Sequence, residues 1–150
     1  MSIEIRIEDS RWRKARLGAR MRRAAEAALA RADAPTGAAL TILLTGDAAL
    51  KKLNSAFRGA DKPTNVLSFP AAANGEKYLG DVAIAYGIAA AEARARGKRL
   101  ADHATHLAVH GVLHLLGYDH LTNRQAKIME PLETEILAKL GIADPYARAA

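Results

Sequence analysis

The chain has 150 residues, the length of one domain, and 1–150 is read as a single one. It contains no cysteine, which excludes disulfides, thiolate metal sites and thiol nucleophiles, and no apolar run approaches the roughly 18 residues of a membrane span. Twenty-two basic side chains against sixteen acidic ones leave a charge of +6, which favours polyanionic partners.

The opening segment MSIEIRIEDSRWRK alternates charge and apolarity, so neither a signal peptide nor a transit peptide is expected, and the location expected is cytoplasmic, with no membrane partner. Ile3, Ile5 and Ile7 alternate with Glu4, Arg6 and Glu8, a period of two that predicts a strand with one buried face. From Trp12 to Ala32 the period becomes helical, with Leu17, Met21, Ala24 and Ala28 on one stripe, and Ala34-Pro35-Thr36-Gly37 ends the helix. Leu40 to Thr45 predicts a second strand. Asp47 is the expected N-cap of a helix through Leu50 and Leu53 to Phe57. A loop follows over 58–64, where Gly, Asp and Pro cluster. Val66 to Phe69 predicts a third strand and Leu79 to Tyr86 a fourth, joined by a polar connection over 71–77. Helices are expected over 88–96 and 100–116, stopped by Gly97 and Gly117. Thr122 opens the last helix, with Ile128, Met129, Leu132, Ile136, Leu137 and Leu140 as its core-facing stripe. The order βαβαββααα predicts an α+β fold, a mixed sheet of about four strands packed with about five helices.

Charge is distributed unevenly. Residues 11–31 carry eight basic side chains against Glu26 alone, a window of +7, and the remainder is close to neutral. On one continuous helix Arg13, Arg16, Arg20, Arg23 and Arg31 fall within about 80° of one another. Such a ridge suits a phosphate backbone held without sequence readout, and the same pattern also describes a solvated face. With two Phe, four Tyr and one Trp, no aromatic base-stacking platform is indicated.

All five histidines lie between His103 and His120. His103, His106, His110 and His114 share a helical arc of about 80°. His110 and His114 are four apart, so both imidazoles reach one ion from one face. Gly117 lets the chain leave the helix with positive φ, and His120 returns to a third coordination position. Three neutral imidazoles with one position open suit a catalytic zinc ion, whose bound water approaches a pKa of about 7. A class of zinc proteases shares this spacing but carries Glu directly after the first His. Here that residue is Gly111, which argues against proteolysis. His103 and His106 suit either a supporting role behind the ligands or solvent contact. Asp119 suits either an imidazole partner or a loop cap.

Residues 106–120, HLAVHGVLHLLGYDH, resemble the signature of the YbeY family of bacterial endoribonucleases. Residues 53–70, LNSAFRGADKPTNVLSFP, are similar to that family's central segment, Leu79-Gly80-Asp81 to its LGD element, and Met129-Glu130, Leu132 to Ile136 and Asp144-Pro145-Tyr146 to its last helix and tail. The resemblance implies one Zn2+ per chain on His110, His114 and His120, single-strand-specific hydrolysis of RNA, and work on the 3′ end of small-subunit rRNA and in ribosome quality control. It further implies an active arginine at Arg58, with a small-subunit ribosomal protein and an assembly GTPase as partners. By residue type alone Arg58 is either a phosphate clamp or a helix C-terminal charge. Lys62 and Ser68 lie in the same segment and are candidate substrate contacts. The chain departs from the family in the less acidic LTNRQAKIME after His120 and in Pro131 inside the expected last helix. Two rival readings are a ribosome-assembly binding factor with a structural zinc and a metal-dependent hydrolase of another substrate.

Overall fold

A computed structural model describes residues 2–58, 64–71 and 77–147. Four strands, β1 (Ser2–Ile7), β2 (Ala39–Thr45), β3 (Val66–Pro70) and β4 (Tyr78–Ala85), form one mixed sheet in the order β1-β2-β4-β3. β1, β2 and β4 run parallel, and β3 pairs antiparallel to β4 at one edge. Among the described residues, six helices accompany the sheet: α1 (Ser10–Ala15), α2 (Gly18–Arg31), α3 (Asp47–Arg58), α4 (Tyr86–Ala95), α5 (Leu100–Leu115) and α6 (Asn123–Lys139). The α+β architecture expected from the element order is the one observed.

The two faces of the sheet explain the composition of its strands. Leu40, Ile42, Leu44, Val82 and Ile84 join the main core with α2, α5 and α6, whereas Ala83, Ala85 and Leu67 join Leu50 of α3 in a smaller one. β4 is therefore buried on both sides, as parallel central strands are. Tyr86, expected to end that strand, instead begins α4 and packs perpendicular to the Trp12 ring at a centroid distance of 5.1 Å.

The helix expected from Trp12 to Ala32 is two helices. Arg16 adopts φ 54° and its N–H returns to the Arg13 carbonyl, ending α1 before α2 starts at Gly18. Trp12 is fully buried and donates its indole N–H to Thr45 O at 2.8 Å, which pins α1 to the end of β2. Met21, Ala24, Ala25, Ala28 and Leu29 pin α2 along the sheet, and the break lets both sets reach the core. The continuous arginine ridge is corrected with it: Arg13 belongs to α1, Arg16 to the break, and Arg20, Arg23 and Arg31 to α2. Arg20 lies 3.8 Å from Asp102 and Arg31 bonds Glu135, so part of that charge is paired.

Two further expectations change. Asp47 accepts from Ile88 N at 3.1 Å and so caps α4, forty-one residues on, with Gly87 leaving the space its carboxylate occupies. Ile128, expected on the core stripe of α6, is 59% exposed, and Glu133 takes a place on the buried side instead. Thr122 does cap α6, with a reciprocal Gln125 capping box, and the helix continues through Pro131 to Lys139.

α5 reaches the sheet because residue 111 is glycine. A Cβ there would overlap Val82 Cγ1 and lie 3.3 Å from Ser68 Oγ, which already donates to Gly111 O at 2.8 Å. Gly111→Ala should therefore cost about 1–3 kcal/mol of stability through overpacking. Gly18→Ala, at an open helical position, should gain roughly 0.4–1 kcal/mol. Urea unfolding of both variants measures the contrast, and equal effects would contradict this packing.

Candidate metal centre and cleft

α5 carries four of the five histidines, and their positions along it separate two environments. His103 and His106 are buried, while His110 and His114 reach the end of the helix and a cleft. Beyond Leu116 the chain turns through Gly117 at φ 100°, with Tyr118 N bonded to Leu113 O at 3.0 Å. That left-handed step, open to glycine without a Cβ penalty, returns His120 toward its helical partners. The ring centroids of His110, His114 and His120 are 4.5, 4.9 and 5.2 Å apart, and Nε2 of His110 and His114 are 3.0 Å apart.

Behind this triad stands Glu133 of α6, with no solvent exposure. One carboxylate oxygen meets His110 Nδ1 at 2.5 Å, and the other meets His106 Nε2 at 2.9 Å and receives the Tyr146 hydroxyl. Burial alone would push this carboxyl up, but the bonds from His106, His110 and Tyr146 outweigh it and bring the pKa to about 2. Tyr146 responds oppositely: burial and the adjacent Glu133 carboxylate raise its phenol, which stays protonated and donates. An ionised carboxylate only accepts, so the facing nitrogen of His110 must carry hydrogen. Nδ1–H leaves the Nε2 lone pair of His110 aimed at the other two rings.

Among the described residues, two side-chain groups bring ligand atoms within 4.8 Å of one another, and either could hold a metal ion: His110, His114 and His120, or His106, His110 and Glu133. Their chemistry differs. In the second group His106 Nε2, His110 Nδ1 and both Glu133 oxygens are already committed to internal hydrogen bonds, and Tyr146 adds a further bond to Glu133. The first offers imidazole nitrogens only, partly exposed, with one ring already fixed in a ligand-competent tautomer by a carboxylate behind it. His114 fits the same role: burial and then the His110 charge push its pKa down, which favours the neutral ring a metal needs.

The triad lies on one side of a cleft of about 670 Å3, facing Asn54 of α3, Asn65, and Ser68 and Pro70 of β3. Ser68 is there, though buried and with its hydroxyl directed to Gly111 O. Asp119 Oδ1 accepts from His120 N at 2.7 Å and stands 4.0 Å from His114 Nδ1 and 3.6 Å from His120 Nδ1, so it caps the turn and contributes charge, with no hydrogen bond to either ring. Arg58 is the final residue of α3, but its side chain and all of Lys62 lie outside the described residues. Arg13, Arg16, Arg20 and Arg23 lie on the α1–α2 segment and do not line the cleft.

Sequence reasoning missed Glu133 as a functional residue. The signal for it is a charged side chain inside the apolar stripe of α6, flanked at helical spacing by Met129, Leu132, Ile136 and Leu137. It missed Glu92 also, which accepts from His103 Nε2 at 2.9 Å and from Asn65 Nδ2 at 3.0 Å.

The family model described as endoribonuclease YbeY matches residues 2–141. Curated proteins named endoribonuclease YbeY are similar over most of the chain. That of Rhodopseudomonas palustris strain HaA2 is 52% identical, across 97% of this chain and 82% of its own. That of Cereibacter sphaeroides is 45% identical, across 96% and 98%. A solution structure of a Thermotoga maritima protein shares the fold, with a TM-score of 0.60 at 23% identity over 97% of this chain and 99% of that one.

Two outcomes test this arrangement. Glu133→Gln presents an amide with a single acceptor oxygen, so it loses its hold on the His110 tautomer, and metal affinity measured against a competing chelator should fall about 10–100-fold. Burial pushes His103 below the usual imidazole range, against the opposing bond to Glu92. A histidine held neutral takes up its proton more readily when unfolded. Its contribution is therefore present above the unfolded pKa near 6.5 and lost as pH falls through that value toward the lower folded one. The unfolding free energy of wild type should decline over that window, and His103→Asn should flatten the decline. An identical slope in the variant would contradict the assignment.

Proposed function

The chain belongs to the endoribonuclease YbeY family, and from that membership and the cleft geometry we propose that it is a zinc-dependent, single-strand-specific endoribonuclease of ribosomal RNA. The observation that carries this reading is the convergence of three imidazoles on the wall of an open cleft, one of them locked by a buried carboxylate. His110, His114 and His120 would hold the ion. A bound zinc supplies Lewis acidity toward a phosphate oxygen and, at its open position, water acidified toward a pKa of about 7.

The chain's own residues supply the rest. Glu133 orients His110 and, through His106, anchors α5 against α6. Among the described residues no carboxylate joins the triad as a fourth ligand, which favours a catalytic over a structural ion. Gly111 stands where a protease of this spacing places its general base, which argues against proteolysis. Arg58, at the end of α3, is assigned to the phosphate, where its guanidinium offsets the charge that grows toward a phosphorane. The arginines of α1 and α2 are assigned to the RNA backbone at a distance from the reacting bond. The substrate proposed is the 3′ end of small-subunit rRNA, in the cytoplasm, in maturation and quality control of the subunit, with a small-subunit ribosomal protein and an assembly GTPase as partners.

Purified protein should hold about one zinc per chain, lose it on His114→Ala, and cleave single-stranded rRNA only when loaded. Identical behaviour of wild type and His114→Ala on RNA would end the nuclease reading. Arg58→Ala should lower single-turnover cleavage by about 10²–10³-fold, as loss of one oxyanion donor does, with zinc content unchanged and RNA affinity changed far less. Equal falls in rate and affinity would make Arg58 a docking residue.

A further inference from the structure

β1 is an edge strand with no bulge against its neighbour. Natural edges are guarded by proline, bulges, short length or charged side chains, and the exposed charges of β1 are of both signs, so they oppose some pairings and favour others. β1 has neither proline nor glycine, and it pairs with β2 in unbroken register from Ser2 to Ile7. The opposite edge, β3, ends on Pro70. Glu4, Arg6 and Glu8 are exposed, and among the described residues their side chains make no hydrogen bond or ion pair. Ile3, Ile5 and Ile7 are half-buried against the core on the other face.

The backbone fixes which residues a partner strand can meet. Ser2 N donates to Ala38 O and Glu8 N to Leu44 O, so even-numbered residues of β1 bond to β2. Ile3, Ile5 and Ile7 therefore turn their N–H and C=O groups to the open edge. An added antiparallel strand identical to β1 has to match odd residues with odd ones, and the charges then select the register. A two-fold axis at Ile5 sets Ile5 opposite Ile5, Ile3 opposite Ile7, and Glu4 opposite Arg6 twice. The Glu4 and Arg6 positions are then non-hydrogen-bonded pairs, where side chains approach most closely. Moving the axis to residue 4 opposes Glu4 to Glu4. Moving it to residue 6 opposes Arg6 to Arg6 and Glu4 to Glu8. An axis at Ile7 runs past the end of the strand, where Asp9 caps α1.

We propose that the chain forms a symmetric dimer by antiparallel pairing of β1 with β1 of a second copy, joining two four-stranded sheets into one. The α2 side of the edge is compatible with this approach. Gly18 and Ala19 leave a groove of about 500 Å3 beside Ile5 and Ile7, and its rim carries both signs, Arg22 and Arg23 with Glu26. A six-residue strand pair is a small interface, below the ~1,200 Å2 of stable complexes, so the dimer is reversible and concentration-dependent.

Sedimentation of the full chain over a wide concentration range tests the register by charge exchange. Wild type should shift from monomer to dimer as concentration rises. Arg6→Glu opposes Glu4 to a glutamate, and Glu4→Arg opposes Arg6 to an arginine, so each variant alone should dimerise at least about tenfold more weakly. An equimolar mixture of the two should form a heterodimer, because each glutamate then meets an arginine, and the double variant Glu4→Arg/Arg6→Glu should recover the wild-type association. Both positions are exposed, so thermal unfolding should match wild type and separate lost pairing from lost folding. A wild type that stays monomeric throughout, a single variant that dimerises as wild type does, or a mixture that stays monomeric would each overturn the proposal.

Discussion

Glu133 is an ionised side chain with no solvent contact, and it is tolerable there only because three donors converge on its two oxygens. Those donors come from two turns of α5 and from the C-terminal segment, so a single carboxylate ties three parts of the chain to α6. The same bonds decide which nitrogen of His110 bears hydrogen. Structure and chemistry are thus coupled at one atom pair: the interaction that makes the buried charge acceptable is the one that exposes a lone pair to the cleft.

Around that interaction the fold acts as a positioning device. Gly111 lets α5 lie directly on Val82 and Ser68, so the helix is held at a fixed height above the sheet. Two residues beyond its end, Gly117 reverses the chain and brings His120 back within 5 Å of His110 by ring centroid. Two of the three imidazoles therefore ride on α5, and the third on a turn whose geometry a glycine permits. β3 supplies the opposite wall of the cleft, with Asn54 of α3 beside it.

Much of this was legible in the residues, for identifiable reasons. The triad follows from local spacing, since four residues along a helix and a glycine turn are short-range facts. The strand of alternating isoleucines, the start of the last helix at Thr122 and the glycine ends of the helices are local in the same sense. What sequence reasoning misplaced or did not find depends on distant partners. Asp47 caps a helix forty-one residues away, Trp12 finds its acceptor thirty-three residues on, and Glu133 meets histidines twenty-three and twenty-seven residues before it. The break at Arg16 belongs to the same class, because it answers to where Trp12 and Met21 must both be buried rather than to any breaker at residue 16.

The account rests on the tautomer of His110, and nitrogen NMR of metal-free protein reads that directly. Long-range correlations from the ring protons to 15N distinguish a protonated nitrogen from a bare one in each imidazole. His110 should carry its hydrogen on Nδ1 with Nε2 bare, and His106 should carry its hydrogen on Nε2, both toward Glu133. A His110 protonated on Nε2 with a bare Nδ1 would mean that Glu133 does not orient the ring, and the link between the buried carboxylate and the metal-binding face would be wrong.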